Sequence, residues 1–322
     1  MLNLSGISIN RAFQEFHTMK QFLTAGFGLL VNGTSKTSLE LIRMQKMLQV
    51  KNKLARRYKD KLVITHQETV ERQPGDTVWV YWNSERVEDA PLPIQAAVRS
   101  IKRAFRTKRV VVLNDSNLEK YITIPQDILT KKENGVISLA MFSDIVRLNL
   151  LIKHGGIWLD STVLVEDDIE NTKIYKAIDD SKLFFFQNLR PGRMGNSIYL
   201  SSWLISAWSN DPTMIKTLDI VNDYISGVHS KWQIADYFLL HIVWHLVFEN
   251  NPGYLESVKK VPNSLPLSLL YELTSDYEEE KINAIFEMMP LQKITYKGFD
   301  EAKESSTFKK VVAKYLVNKK EQ

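Results

Sequence analysis

Apolar residues recur at helical intervals near the start of the chain, at Phe13, Phe16, Met19 and Leu23 and again at Ile42, Met47, Leu48, Leu54, Ala55, Tyr58 and Leu62. This rhythm predicts two helices between Asn10 and about Leu62. Asn32-Gly33-Thr34-Ser35 separates them, because glycine and small polar residues favour turns over helix. After Gln73-Pro74-Gly75-Asp76 the rhythm changes. Thr77-Val78-Trp79-Val80-Tyr81-Trp82 is β-branched and aromatic, the composition of a buried strand. Pro91 and Pro93 stand where proline opens a helix, and Ile94, Ala97, Val98, Ile101 and Phe105 then share one face. Val110-Val111-Val112-Leu113 reads as a second strand. Strand, helix and strand at this spacing form a βαβ unit, which predicts an α/β fold with parallel strands and helices packed on the sheet.

A further helix runs from about Ser138 to Leu151 and stops at His154-Gly155-Gly156, residues suited to a left-handed cap. Ile157-Trp158-Leu159 is then a short strand that delivers Asp160-Ser161-Thr162 at its carboxyl end, where open α/β sheets bind ligands. Leu183-Phe184-Phe185-Phe186 is another strand, and beyond Ser201 the pattern reads as mostly helical. The expected organisation is a helical segment over 1–75, an α/β domain over 76–300 and a basic helix or tail over 301–322.

With 322 residues, 44% of them hydrophobic and 25% charged, the chain has the material for a sizeable core. It has no cysteine, which excludes a disulfide scaffold, a thiol nucleophile and any cysteine-ligated metal. The apolar stretches Phe22 to Val31 and Tyr237 to Phe248 fall short of the ~18–20 residues of a membrane span. No basic residue precedes Arg11, so a signal peptide is not expected either, and the expected location is cytoplasmic. The net charge of +5 is unevenly spread. Arg43 to Lys61 holds eight basic residues and one acid, Arg99 to Arg109 holds six and none, and the remainder is net acidic. Two basic helices suit an anionic membrane surface, a nucleic acid or simply a solvated face.

The candidate chemistry lies in two linked motifs. Asp144 and Arg147 are three residues apart on the predicted helix and share a face. Asp160 follows Gly155-Gly156-Ile157-Trp158-Leu159 at a strand end. Taken singly, these residues also read as a surface ion pair and a turn aspartate. Trp82 reads equally as a core aromatic. His241 and His245, four apart on an apolar helix, read as packed histidines or a metal pair, and Asp236 as a helix cap or an acceptor-facing acid. Phosphate-loop, dinucleotide-binding, serine-hydrolase and zinc-protease signatures are absent.

Phe142-Ser143-Asp144-Ile145-Val146-Arg147 together with Lys153-His154-Gly155-Gly156-Ile157-Trp158-Leu159-Asp160-Ser161-Thr162 resembles the signature of bacterial capsular polysaccharide synthesis glycosyltransferases. These are relatives of the group with a sugar-binding region containing a DXD motif, and more distantly of the large clostridial glucosylating toxins. The resemblance extends from Trp79-Val80-Tyr81-Trp82 through Asn196, Ser201-Ser202-Trp203 and Asp236-Tyr237-Phe238 to Met289–Lys297.

It implies a GT-A-like fold, a mixed and mostly parallel sheet flanked by helices, with an N-terminal helical extension. It also implies a retaining transferase that moves a hexose, of galactose or glucose type, from a UDP-sugar to a lipid-linked capsular or exopolysaccharide repeat unit at the inner face of the plasma membrane. Asp144 and Arg147 would then bind the donor sugar, Trp82 would stack on uracil, and Gly155, Gly156, Ser161, Thr162 and Asn196 would complete the donor site. Asp160 would contact the donor and help to hold Mn2+ or Mg2+, while Asp236 and Lys293 would face acceptor or diphosphate. Thr162 stands where many relatives carry a second aspartate, so the metal ligand set is reduced. Two rival readings are a nucleic-acid-binding protein using the basic helices and a catalytically silent partner of the same fold.

Overall fold

The computed structural model describes residues 19–65, 70–189 and 200–317. The part of the first expected helix before Met19, and Asn196, lie outside them. The chain forms α1 (Met19–Asn32), α2 (Lys36–Arg57), β1 (Thr77–Tyr81), α3 (Leu92–Ala104), β2 (Arg109–Leu113) and α4 (Gln126–Glu133). It continues through α5 (Leu139–His154), β3 (Gly156–Leu159), β4 (Val163–Val165), α6 (Lys173–Asp179), β5 (Leu183–Gln187) and β6 (Leu200–Ala207). The remainder is α7 (Pro212–Ser226), α8 (Leu239–Asn250), α9 (Pro252–Glu256), α10 (Ser268–Glu272), α11 (Glu279–Met288), β7 (Leu291–Lys293) and α12 (Thr307–Leu316).

The expected βαβ unit is present, with β1 parallel to β2 and to β3 in a sheet of order β2-β1-β3-β6-β5. β6 is antiparallel to both β3 and β5, so β6 alone runs against the direction of the other four strands. The mixed sheet therefore agrees with expectation, with two parallel and two antiparallel ladders. The mostly helical reading beyond Ser201 also holds, although Leu200–Ala207 is an eight-residue strand in the sheet interior. All eight residues are buried, so Leu200-Ser201-Ser202-Trp203-Leu204-Ile205-Ser206-Ala207 carries no polar alternation to signal a strand.

Alternation along the other strands sorts side chains into two cores. Trp79, Tyr81, Trp158, Phe185 and Ile205 point to one face and pack with α2, α5, α7 and α8. Val78, Val80, Ile157, Leu159, Phe184, Phe186 and Leu204 point to the other and pack with α3 and α6. The N-terminal helices are thus tied to the main body, since Val50, Leu54, Tyr58 and Leu62 belong to the larger core. The C-terminal segment is likewise packed: Phe308, Val311, Val312 and Tyr315 of α12 are buried with α10 and α11.

Candidate active site

The carboxyl ends of β1 and β3, the end of β5 and the start of antiparallel β6 meet at one rim of the sheet. A cleft of about 930 Å³ opens there, lined among others by Trp82, Asn188, Ser201, Ser202 and Trp203. Three further elements close over it. α5 contributes Asp144 and Arg147, the α8 entrance contributes Tyr237 and His241, and β7 with its following loop contributes Lys293 to Lys297. α2 reaches the same cleft with Glu40, Arg43, Met44 and Met47.

α5 starts where Ser138 accepts the Met141 N–H at 3.2 Å, a side-chain N-cap. Its inner face is apolar except for Arg147, which is only 4% exposed. A buried guanidinium is tolerated because it is paired on both sides. Arg147 Nη1 donates to Asp144, Nη2 donates to Asp160 Oδ1 at 2.9 Å, and the guanidinium carbon lies 4.9 Å from the Trp158 ring centroid. Trp158 Nε1 also donates to Asp160 Oδ1, at 3.0 Å.

The second carboxylate oxygen has its own cation. Lys293 Nζ donates to Asp160 Oδ2 at 2.9 Å and also to Thr162 Oγ1. This contact is held by backbone pairing, because β4 and β7 place Val163 opposite Lys293 and Ile294 N–H donates to the Thr162 carbonyl at 2.8 Å. Residues 133 positions apart, Asp160 and Lys293, are thereby locked together.

Electrostatics separates the two aspartates. Burial works to raise the Asp160 pKa but is outweighed by Lys293 and Arg147, so its carboxyl stays below the usual range. Burial pushes Asp144 up to about 6, against the opposing pull of Arg147 and with added repulsion from Asp160. Burial, reinforced by Arg147, lowers His241 to about 3. Two polar atoms lining the cleft, Arg147 Nε and His241 Nδ1, are buried without a hydrogen-bond partner. Such atoms are costly in a folded core and are expected where a ligand completes the site.

Asp144, Arg147, Asp160, Ser161, Thr162, Lys293 and Trp82 are all brought to this cleft, as the sequence suggested. Trp82 is half-buried and packs edge-on against Tyr296 at 5.3 Å between centroids, with its Nε1 donating to Ser84. Gly155 and Gly156 are elsewhere. Gly155 caps α5 and Gly156 begins β3, at the opposite end of that strand from Asp160, with φ of 65° and 97°. A Cβ on Gly156 would lie 2.2 Å from the Thr77 carbonyl oxygen, so this turn is packed tightly against neighbouring backbone.

Asp236 is not among the residues lining the cleft. It is 5% exposed, accepts the Phe238 N–H at 2.9 Å and lies 3.5 Å from buried Lys46 Nζ. Its role is nearer the capping alternative. Of the two histidines, His245 faces Lys51 and Glu249 at 2.9 Å each, whereas His241 lines the cleft. His241, which the sequence leaves between a packed histidine and a metal pair, and Tyr237 line the cleft, although sequence reasoning marks neither as a donor-site residue. Their only signal is a four-residue spacing at the head of an apolar helix.

A divalent cation at Asp160 and Thr162 would need oxygen ligands with lone pairs to spare. Both Asp160 oxygens and the Thr162 hydroxyl already face cationic or N–H donors. Glu166 is engaged at the far end of β4 by Tyr315 and Lys314, and Asp167 by Arg103. Among the described residues no three acidic or histidine side chains gather as a metal site. The residues present do not fit the divalent ion that the resemblance implied.

The family model for capsular polysaccharide synthesis proteins matches residues 33–312. The chain belongs to that family. No curated protein matches it. Among solved structures it is similar to the PaToxG glycosyltransferase, at 14% identity over 73% of this chain and 80% of that one, with a TM-score of 0.35. It is also similar to the apo-form glycosyltransferase GlyE of Streptococcus pneumoniae, at 12% identity over 76% of this chain and 60% of that one, with a TM-score of 0.37. The catalytic domain of alpha-toxin from Clostridium novyi is 10% identical over 89% of this chain and 79% of that one, with a TM-score of 0.33. Membership of a capsular polysaccharide synthesis family is thus established for a chain with a cleft at its sheet rim.

Proposed function

We propose that this protein is a GT-A-like glycosyltransferase that moves a hexose from a UDP-sugar to a lipid-linked repeat unit of a capsular or exopolysaccharide. The observation that carries this reading is the Asp144–Arg147–Asp160–Lys293 network at the rim where the strands end, beside Trp82. A nucleotide-sugar needs hydroxyl-binding carboxylates, cations for its diphosphate and an aromatic face for its base. The cleft offers all three in one volume.

In this reading Asp144 and Arg147 orient the sugar, Trp82 meets uracil and Lys293 faces the diphosphate. The bond from C1 to the diphosphate breaks with its electron pair leaving on the phosphate oxygen. The acceptor oxygen forms the new bond to C1 on the same face, and its proton passes to the departing diphosphate. Retention of configuration is carried by the resemblance. The protein's contribution is positioning and electrostatic stabilisation of charge on the leaving group.

The acceptor's lipid and a location at the cytoplasmic face of the plasma membrane are part of the same proposal. Among the described residues no helix is long and apolar enough to cross a membrane. What supports a membrane encounter is the hairpin of α1 and α2, which exposes Leu23, Phe27, Leu30, Leu41 and Leu48 and whose Arg43 and Met44 line the cleft. Part of the basic charge that prompted a nucleic-acid reading is paired with acids of the same chain, as with Lys51 and Glu249 at 2.6 Å or Lys108 and Asp179 at 2.7 Å.

The test is incubation of purified protein with UDP-glucose, UDP-galactose and their N-acetylated forms, measuring UDP release. Wild type is expected to release UDP from one of them. Asp160→Asn is expected to lose at least about 100-fold of that activity while keeping the wild-type circular dichroism spectrum. A fully active Asp160→Asn enzyme, or a silent wild type, removes the assignment.

A further inference from the structure

The donor reading turns Lys293 towards the diphosphate but leaves open whether a divalent ion stands beside it. Lys293 Nζ touches both the carboxylate and the hydroxyl that a DXD-type motif would turn towards a metal ion. From this we infer that transfer in this protein is independent of divalent cations, and that the Lys293 ammonium is the fixed positive charge that receives the donor diphosphate. The inference rests on the donor reading above.

Charge balance at the cluster is the first support. Asp144 and Asp160 are matched by Arg147 and Lys293, so no negative charge is left over to attract a divalent ion. A hard cation needs several oxygen ligands at once, and a neutral threonine hydroxyl is a weak one. Here that hydroxyl is already a lysine partner.

Anchorage is the second. Lys293 belongs to β7, paired residue for residue with β4, so its backbone sits opposite Val163, one residue beyond Thr162. The side chain is 18% exposed, reaching the cleft with its stem packed. An ammonium fixed in this way needs no reorganisation when charge develops on a leaving diphosphate, which is the condition under which electrostatic stabilisation is strongest. Arg43 and Lys297 line the same cleft, and their two positive charges outweigh the one further acid there, Glu40. Lysine as a point charge is an ordinary phosphate ligand.

The experiment uses the full chain, treated with EDTA and desalted, and titrates UDP and GDP by calorimetry with and without manganese(II). UDP release from the donor panel is followed in parallel, and manganese binding is read by electron paramagnetic resonance. Wild type is expected to bind one nucleotide equally well in both conditions, to turn over without added metal and to leave the free-manganese signal undiminished. Lys293→Met is expected to weaken nucleotide binding by about 10–100-fold with or without manganese, while Lys293→Arg keeps most of it. Thermal unfolding of each variant checks that the loss is not one of folding. Binding or turnover that appears only with manganese, or a Lys293→Met protein that binds as wild type does, overturns the inference and leaves the donor reading standing. If no nucleotide binds in either condition, the donor reading itself fails.

Discussion

Asp144 and His241 both feel the charges of Arg147 and Asp160, and burial drives their protonation in opposite directions. Asp144 is held near 6, so it ionises only as the pH rises past that value. His241 is held near 3 and stays neutral throughout the working range. Their stability effects oppose each other. The folded form favours protonated Asp144 between its ordinary 3.8 and about 6, so stability from this group falls as pH rises through that window. For His241 the unfolded form binds the proton between about 3 and 6.5, so stability rises with pH there. Thermal stability is therefore a blurred readout and activity is the clean one. UDP release, measured as kcat/KM, is expected to fall about tenfold per pH unit below about 6. Asp144→Asn is expected to flatten that acid limb at a lower plateau; a limb unchanged in the variant assigns it to another group. Asp144, Arg147 and Asp160 were legible in the sequence because a helix face and a strand end are local properties. His241 was not, because its role depends on α8 crossing a rim built from residues far away in the chain.

At the level of elements, the same contrast separates what local pattern encodes from what tertiary pairing adds. β1, α3, β2 and α5 announce themselves through composition and caps. β6 does not, since a strand buried on both faces between β3 and β5 has no reason to alternate. β4 and β7, three residues each, are too short to carry a pattern, yet their pairing is what presents Lys293. The Gly155-Gly156 turn is the instructive case. Its sequence signalled a left-handed cap, which Gly155 supplies at a φ of 65°, and Gly156 packs against the start of β1. Gly156→Ala combines a φ of 97° with a Cβ 2.2 Å from a carbonyl oxygen. The expected cost is at least about 2 kcal/mol, seen as a lower midpoint in urea unfolding. Whatever protein remains folded is expected to keep the wild-type KM for donor. A raised KM at unchanged stability would instead return this glycine to the binding site.

Over the whole molecule, six of the fourteen basic residues in the two stretches pair with acids of the same chain among the described residues. From the basic stretch of α2 and the turn after it, Lys46 faces Asp236, Lys51 faces Glu249, and Arg57 and Lys61 face Asp223. In the second stretch Arg103 pairs with Asp167, Lys108 with Asp179, and Arg99 donates to the Leu316 carbonyl. Charges spent on acids of the same chain attract an anionic surface only weakly, because each pair is nearly neutral at a distance beyond the screening length. The apolar face of the α1–α2 hairpin has no such compensation: Leu30 is 86% exposed, Phe27 68% and Leu48 57%. Each large side chain buried in a bilayer interface is worth ~1.5–3 kcal/mol, against ~1 kcal/mol for a basic residue near anionic lipid. Membrane association, if the proposed acceptor is lipid-linked, should therefore follow the apolar face. In vesicle flotation, Phe27→Ser with Leu30→Ser is expected to release the protein from phosphatidylcholine–phosphatidylglycerol vesicles, while reversing Arg56 and Lys59 to glutamate lowers retention by only a few-fold. Retention that survives the serine pair but disappears on charge reversal would put the attraction back on the basic residues. An absence of retention in wild type would separate the enzyme from the membrane and leave a soluble saccharide acceptor in its place.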